Sequence, residues 1–309
     1  MIGPKEVEAA WSLIRSHVRR TPVLDLPGGT LGLAFPLALK LEQLQVSGSF
    51  KGRGAFHKML VSKVPAAGII AASGGNHGAA AAYAARALGH KAEIFVPTIA
   101  SPAKVARLRA YGAVVHQVGA VYAEARAASE KRAAETGALI VPAYEDPLVF
   151  AGAGSVALEF AEQTKFDTLL VAVGGGGLIA GLAAWYAGRI KIVAVEPEKA
   201  PTLTRALEAG RPVDAEAGGI AAESLAPRRV GELVFPVIQR YIDKTVLVSD
   251  EAILDAQRRL WTTMRIVAEP GGAAALAALT SGQYVPGPSE RVGVLICGGN
   301  TAVVNFKSH

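Results

Sequence analysis

Four short segments hold the residue types from which a chemical site could be built. The first is Ser47-Gly48-Ser49-Phe50-Lys51-Gly52-Arg53-Gly54. A lysine at the start of a helix opposes the helix dipole, so one set there among glycines is a candidate amine nucleophile or base. The second, Ala72-Ser73-Gly74-Gly75-Asn76-His77-Gly78, follows an apolar run and opens a helix. Backbone amides at such a turn can hold an anion, here a carboxylate. The Asn76 amide can bond a ring hydroxyl or a carbonyl. The third, Val173-Gly174-Gly175-Gly176-Gly177-Leu178, repeats the order strand, glycines, helix. Without side chains, several N–H groups can converge on a phosphate. No Lys-Ser/Thr pair follows, and the spacing is not that of a dinucleotide fingerprint. The fourth, Ile296-Cys297-Gly298-Gly299-Asn300, puts a lone cysteine at the carboxyl end of a strand, where open α/β sheets bind ligands. Each segment alone has a plainer explanation. Lys51 could be solvated, Ser73 or Asn76 could cap a helix, the glycines could form a flexible connector, and Cys297 could fill a core.

The elements that carry these segments alternate. Residues 4–18 read as an amphipathic helix through Val7, Trp11, Ile14 and Val18. Leu37–Leu41 reads as a strand, and a helix follows from after Ser49 to about Val61. Strands are expected at 68–72, 91–96, 114–118 and 138–141, with helices at 78–88, 102–111 and 122–136 between them. The pattern resumes with a helix at 155–164, a strand at 168–173, a helix at 178–187 and a strand at 190–195. The stretch from Pro197 to Pro227 reads as irregular. A strand at 244–248, helices at 250–264 and 272–280, and a strand at 291–296 close the pattern. Strands separated by such helices imply βαβ units. The expected fold is α/β, with two domains of open, twisted, mostly parallel sheets flanked by helices. Residues 1–66 and 146–309 form the larger domain, and 67–145 the smaller, which carries the asparagine loop and could close over a substrate.

The 309 residues are 51% hydrophobic and 19% charged, which excludes a disordered chain. The net charge is +6, but the lysines and arginines are scattered, so no nucleic acid is expected as a partner. The uncharged span from Thr168 to Gly188 is long enough to cross a bilayer. Its four glycines break it into strand, turn and helix, so no membrane is expected either. One cysteine excludes an internal disulfide. The six histidines lack paired metal-ligand spacing, and no metal is expected; Glu216 and Glu223 read as solvated. A cytoplasmic protein with no added regulatory domain is expected.

Taken together and in this order, the four segments resemble the fold type II pyridoxal 5′-phosphate (PLP) enzymes, the tryptophan synthase β-like group. Within it the chain looks like the serine/threonine dehydratases, related to serine racemase. The resemblance runs from Arg20-Thr21-Pro22-Val23 through Lys40-Leu41-Glu42, Glu196-Pro197 and Glu269-Pro270 to Cys297-Gly298-Gly299-Asn300. It implies that Lys51 carries PLP as a Schiff base and later acts as the base at Cα. Phe50 would lie against the pyridine ring and Asn76 would bond its 3-hydroxyl. Gly174, Gly175, Gly176, Gly177 and Leu178 would hold the phosphate, and Cys297 would face the ring nitrogen. Ser73, Gly75, Asn76 and His77 would surround the substrate carboxylate.

The chemistry so implied is β-elimination from L-threonine or L-serine, giving a 2-oxo acid and ammonia. A neutral thiol at Cys297 cannot hold the ring nitrogen protonated as an aspartate would, which favours expulsion of a β-leaving group over reprotonation. Gly74 departs from the racemase, where the matching position is a serine acting on the opposite ring face. Little racemisation is therefore expected. A hydroxyaspartate or hydroxyectoine-pathway dehydratase, serine racemase itself, or a non-catalytic ligand-binding protein are the alternatives. The partners expected are an amino-acid substrate and a second copy in a homodimer.

Overall fold

The computed structural model describes residues 2–225 and 227–301. Helix α1 (Pro4–Ile14) precedes strands β1 (Val23–Leu26) and β2 (Leu37–Leu41). Helix α2 (Lys51–Val61) leads to β3 (Ile69–Ala72), α3 (Asn76–Ala87), β4 (Ala92–Val96), α4 (Pro102–Ala110), β5 (Val114–Gln117), α5 (Tyr122–Thr136) and β6 (Leu139–Ile140). Then come α6 (Pro147–Gln163), β7 (Thr168–Ala172), α7 (Gly177–Tyr186), β8 (Lys191–Pro197), α8 (Thr202–Ala209), α9 (Ala222–Leu225) and α10 (Phe235–Tyr241). Strand β9 (Lys244–Val248), α11 (Asp250–Met264), α12 (Pro270–Thr280) and β10 (Val292–Ile296) complete the order.

Two sheets result. The larger runs β1-β2-β10-β7-β8-β9, and the smaller β5-β4-β3-β6. Every pairing is parallel except that of β1 with β2. Parallel strands are covered on both faces, and their residues show it: all of β2, β7 and β10 is buried. Alanine makes the close packing possible. In α3, Ala79 to Ala82, Ala84 and Ala85 are fully buried, and in α12 everything from Gly271 to Leu279 is buried.

The uncharged span from Thr168 divides into β7, a loop and α7, and among the described residues no helix is long and apolar enough to cross a membrane.

Local reading and structure differ in four places. Helix α1 ends at Ile14 rather than near residue 18; Val18 stays in the core through a turn closed by its N–H on the Ile14 carbonyl at 3.2 Å. Helix α6 begins at Pro147, with Asp146 capping Leu148 and Val149. Its glycines lower helix propensity, which hid the first turns, but they lie where helices cross. A Cβ on Gly154 would stand 2.6 Å from the Gly181 carbonyl oxygen, and one on Gly181 2.2 Å from that of Phe150. The stretch 197–227 holds α8, whose N–H groups are capped by Glu196: its carboxylate accepts from Leu203 N at 2.6 Å and Thr204 N at 2.8 Å. Strand β1 and helix α10 were not legible from periodicity.

All four candidate segments leave the carboxyl ends of strands or lead from one. The asparagine loop follows β3, the glycine loop β7, and the cysteine segment β10, while the lysine segment follows β2. Strand β10 lies between β2 and β7, which brings three of the segments side by side.

Candidate active site

Lys51 is the first residue of α2, and buried charge pins that helix start from behind. Arg53 Nε and Nη2 donate to Glu42 at 2.9 and 2.7 Å, and Nη2 also reaches Glu159 at 2.9 Å. Lys40 meets the other Glu159 oxygen at 2.5 Å. All four side chains are fully buried. Taking four charges out of water is costly, and only full pairing offsets it. Burial opposes the charge on Arg53, but Glu42 and Glu159 outweigh it and raise its pKa. The same pairing holds Glu42 low against its own burial. Strand β2, α2 and α6 are thereby locked together beneath Lys51.

The Lys51 amine is half-buried and donates to the Ala143 carbonyl at 2.6 Å. It lies 5.1 Å from the centre of the Phe50 ring. Burial pushes its pKa down to about 8, so the nucleophilic neutral amine is far more accessible than in an ordinary lysine. Phe50 N–H donates to the Cys297 carbonyl at 3.1 Å, and Ser49 pairs with Gly298. The lysine and cysteine segments are thus joined main chain to main chain.

Cys297 is buried, and its Sγ reaches the Gly271 carbonyl at 3.6 Å. Burial, with Glu269 nearby, pushes its pKa up. It is a neutral thiol and a weak donor.

In the asparagine loop, Gly75 N–H donates to Ser73 Oγ at 3.2 Å. The first turn of α3 leaves the N–H groups of Asn76, His77 and Gly78 without intrahelical acceptors. A Cβ on Gly78 would stand 1.9 Å from the Ser73 carbonyl oxygen, so the turn needs glycine there. The His77 ring is turned away and bonded through Nε2 to the Val141 carbonyl at 2.8 Å. Burial, with the charge on Lys51, pushes its pKa down to about 3. His77 therefore offers the loop its backbone N–H, not its side chain.

The glycine loop opens α7 with Gly176 in a left-handed conformation, φ +91°, which glycine adopts freely. A Cβ on Gly175 would stand 2.5 Å from the Tyr144 ring, and one on Gly177 2.7 Å from Tyr144 Cβ. A Cβ on Gly176 would meet Ile238 and Val230 at 2.9 Å. Among the described residues the loop is a cradle of bare N–H groups at a helix N-terminus, walled by Tyr144, with Leu178 buried behind it.

Residues 14–298 match the family model described as "Pyridoxal-phosphate dependent enzyme". The chain belongs to that family. The biosynthetic L-threonine dehydratase of Escherichia coli (strain K12) is 38% identical to this PLP-family chain over 98% of it. The match covers 61% of that relative, so the chain spans about three-fifths of its length. A phenylserine dehydratase of Ralstonia pickettii is 35% identical over 96% of the chain and 92% of its own length. Among solved structures, a T.th. threonine deaminase superposes with a TM-score of 0.90 at 37% identity, covering 98% of this chain and all of that one.

The residues present fit PLP. The cradle of bare amides suits its phosphate, the depressed amine of Lys51 its aldehyde, and the neutral buried thiol of Cys297 an unprotonated ring nitrogen. Among the described residues, no group of three or more His, Cys, Asp and Glu could hold a metal. Glu223 is paired instead with Lys104 at 2.9 Å. Four site residues lacked a role in the sequence reading: Ala143, Tyr144, Glu269 and Asn300. Only Glu269, before a proline that starts a helix, and Asn300, at the end of the fourth segment, carried a local signal.

Proposed function

We propose that this PLP enzyme is a dehydratase (ammonia-lyase) that converts L-threonine, L-serine or both to a 2-oxo acid and ammonia. The observation that carries this reading is the main-chain junction of the lysine and cysteine segments, Phe50 N–H on the Cys297 carbonyl at 3.1 Å, which sets an amine lowered to about 8 by burial and a neutral buried thiol in one site. When bound, the cofactor withdraws electrons from the substrate Cα. Lys51, as free amine, takes the α-proton on one face. The N–H groups of Asn76 and His77, with Ser73 and Gly75 at the turn, orient the substrate carboxylate. Gly174 to Leu178 would hold the phosphate through their backbone amides, and Phe50 would lie against the pyridine ring. The neutral thiol of Cys297 would face the ring nitrogen without holding a proton on it, a setting that would favour loss of the β-hydroxyl over return of the proton. Gly74 provides no acid or base on the other face.

The smaller unit, 67–145, is proposed to close over the substrate, and the enzyme to work as a cytoplasmic homodimer. Kinship with a phenylserine dehydratase supports a second reading, in which the β-hydroxy amino acid carries a larger side chain. Incubation with L-threonine, L-serine and L-phenylserine, measuring 2-oxo acid and the enantiomers that remain, tests the proposal. Rapid 2-oxo acid from threonine or serine supports it. Turnover of phenylserine alone favours the second reading, and D-serine outpacing 2-oxo acid refutes both.

A further inference from the structure

The Asn300 amide joins three of the four candidate segments. Its Nδ2 donates to the Ser47 carbonyl at 2.7 Å and to Asn76 Oδ1 at 2.7 Å. Its Oδ1 lies against Gly48, where a Cβ would stand 2.3 Å away and φ is +79°. Gly299 N–H closes the same junction on the Gly48 carbonyl at 3.0 Å.

These bonds determine which way the Asn76 amide points. A backbone carbonyl can only accept, so the Asn300 atom on Ser47 must be the nitrogen. The Asn76 atom facing that nitrogen must then be the oxygen. Asn76 Nδ2 is left pointing the other way, toward Glu269 Oε1. Glu269 is buried, and burial raises its pKa to about 7. One Nδ2 proton goes to Glu269, and the second remains for a ligand in the cleft.

We propose that Asn300 is a positioning residue that fixes the Asn76 amide so that it presents a donor to the phenolic oxygen of the bound cofactor. The proposal rests on the reading of the site as a PLP centre held by Lys51. A donor there stabilises the ionised phenolic oxygen, whose cofactor form absorbs in the visible. Without it, the neutral form, absorbing in the near ultraviolet, gains.

The test compares the absorbance of the holoenzyme with that of Asn300→Asp and Asn300→Ala across pH. An aspartate at this place has no proton to give, so it turns the Asn76 amide over and aims its oxygen at the cofactor. The ratio of near-ultraviolet to visible absorbance is expected to rise about tenfold in Asn300→Asp, the effect of one hydrogen bond to a charged oxygen. A smaller rise is expected in Asn300→Ala, where Glu269 alone still aims the amide. The parent's ratio at every pH in Asn300→Asp overturns the proposal. Equal changes in both variants also overturn it, because they mark loss of structure rather than of orientation. If Asn300→Asp fails to keep cofactor, Asn300→Ala decides alone: a raised ratio supports the proposal and the parent's ratio overturns it. A parent protein that takes up no PLP at Lys51 would instead sink the underlying site reading.

Discussion

Arg53 grips Glu42 through two nitrogens, at 2.9 and 2.7 Å, with both side chains wholly out of water. Glu42 follows β2 and Arg53 lies in the first turn of the helix that Lys51 begins. The pair ties the amine to the larger sheet.

Removing either partner breaks the buried network: without Arg53, Glu42 loses both guanidinium bonds, and without Glu42, Arg53 keeps only one of the two carboxylates it holds, Glu159. Arg53→Ala or Glu42→Ala is expected to lower stability by about 3–5 kcal/mol, read from the midpoint of chemical denaturation. The double variant should lose less than the sum of the singles, because the two residues share one interaction. Strictly additive losses would mean that the pair is not coupled.

The amine of Lys51 sets a pH dependence. Its folded pKa, about 8, lies below the ordinary lysine value of 10.5 because of burial. The folded state therefore binds fewer protons than the unfolded one between these values, and cofactor-free stability gains from this group as pH rises across that window. The rate of PLP uptake should rise about tenfold per pH unit below the folded pKa and level off above it. Uptake still climbing toward the ordinary lysine value would show an unperturbed amine.

The glycine cradle and Tyr144 make a steric pair. Gly175→Ala places a methyl group 2.5 Å from the Tyr144 ring and should weaken PLP retention. Tyr144→Ala should restore much of it in the double variant. Gly176→Ala should not be rescued in this way, since its φ of +91° strains any side chain. Equilibrium dialysis of PLP against the four proteins separates these outcomes.

Gly74 has room for a side chain. A Cβ there would meet Val96 at 3.5 Å and Ala100 at 4.0 Å, ordinary contacts. Gly74→Ser should fold as stably as the parent, so its chemistry can be read without loss of structure. The parent should form D-serine from L-serine far more slowly than 2-oxo acid. Fast D-serine formation by the parent, on chiral chromatography, would show that a second base acts without a side chain at position 74.

Much of this was legible locally. Helix α11 carries its own periodicity and a Ser249 cap, α5 ends on the left-handed Gly137, β2 is an unbroken apolar run but for Lys40, and the glycines after β7 announce a helix start. What was hidden depends on tertiary contact. Gly152 and Gly154 look like helix breakers until α6 is seen crossing α2 and α7, where a Cβ would strike the Arg53 and Gly181 carbonyl oxygens. His77 looks like a polar site residue in sequence, but its ring meets Val141, 64 residues away. Tyr144 is one aromatic among many until the sheet places it on Gly175. The direction of the Asn76 amide is set by Ser47 and Asn300, which no periodicity links to it.

Whether Lys51 bears the cofactor is decided by borohydride reduction of the PLP-loaded protein, followed by peptide mass mapping. A single pyridoxyl adduct on Lys51 is expected, and none in Lys51→Ala together with loss of the visible band. An adduct on another lysine, or the same band and adduct yield in Lys51→Ala, would contradict it.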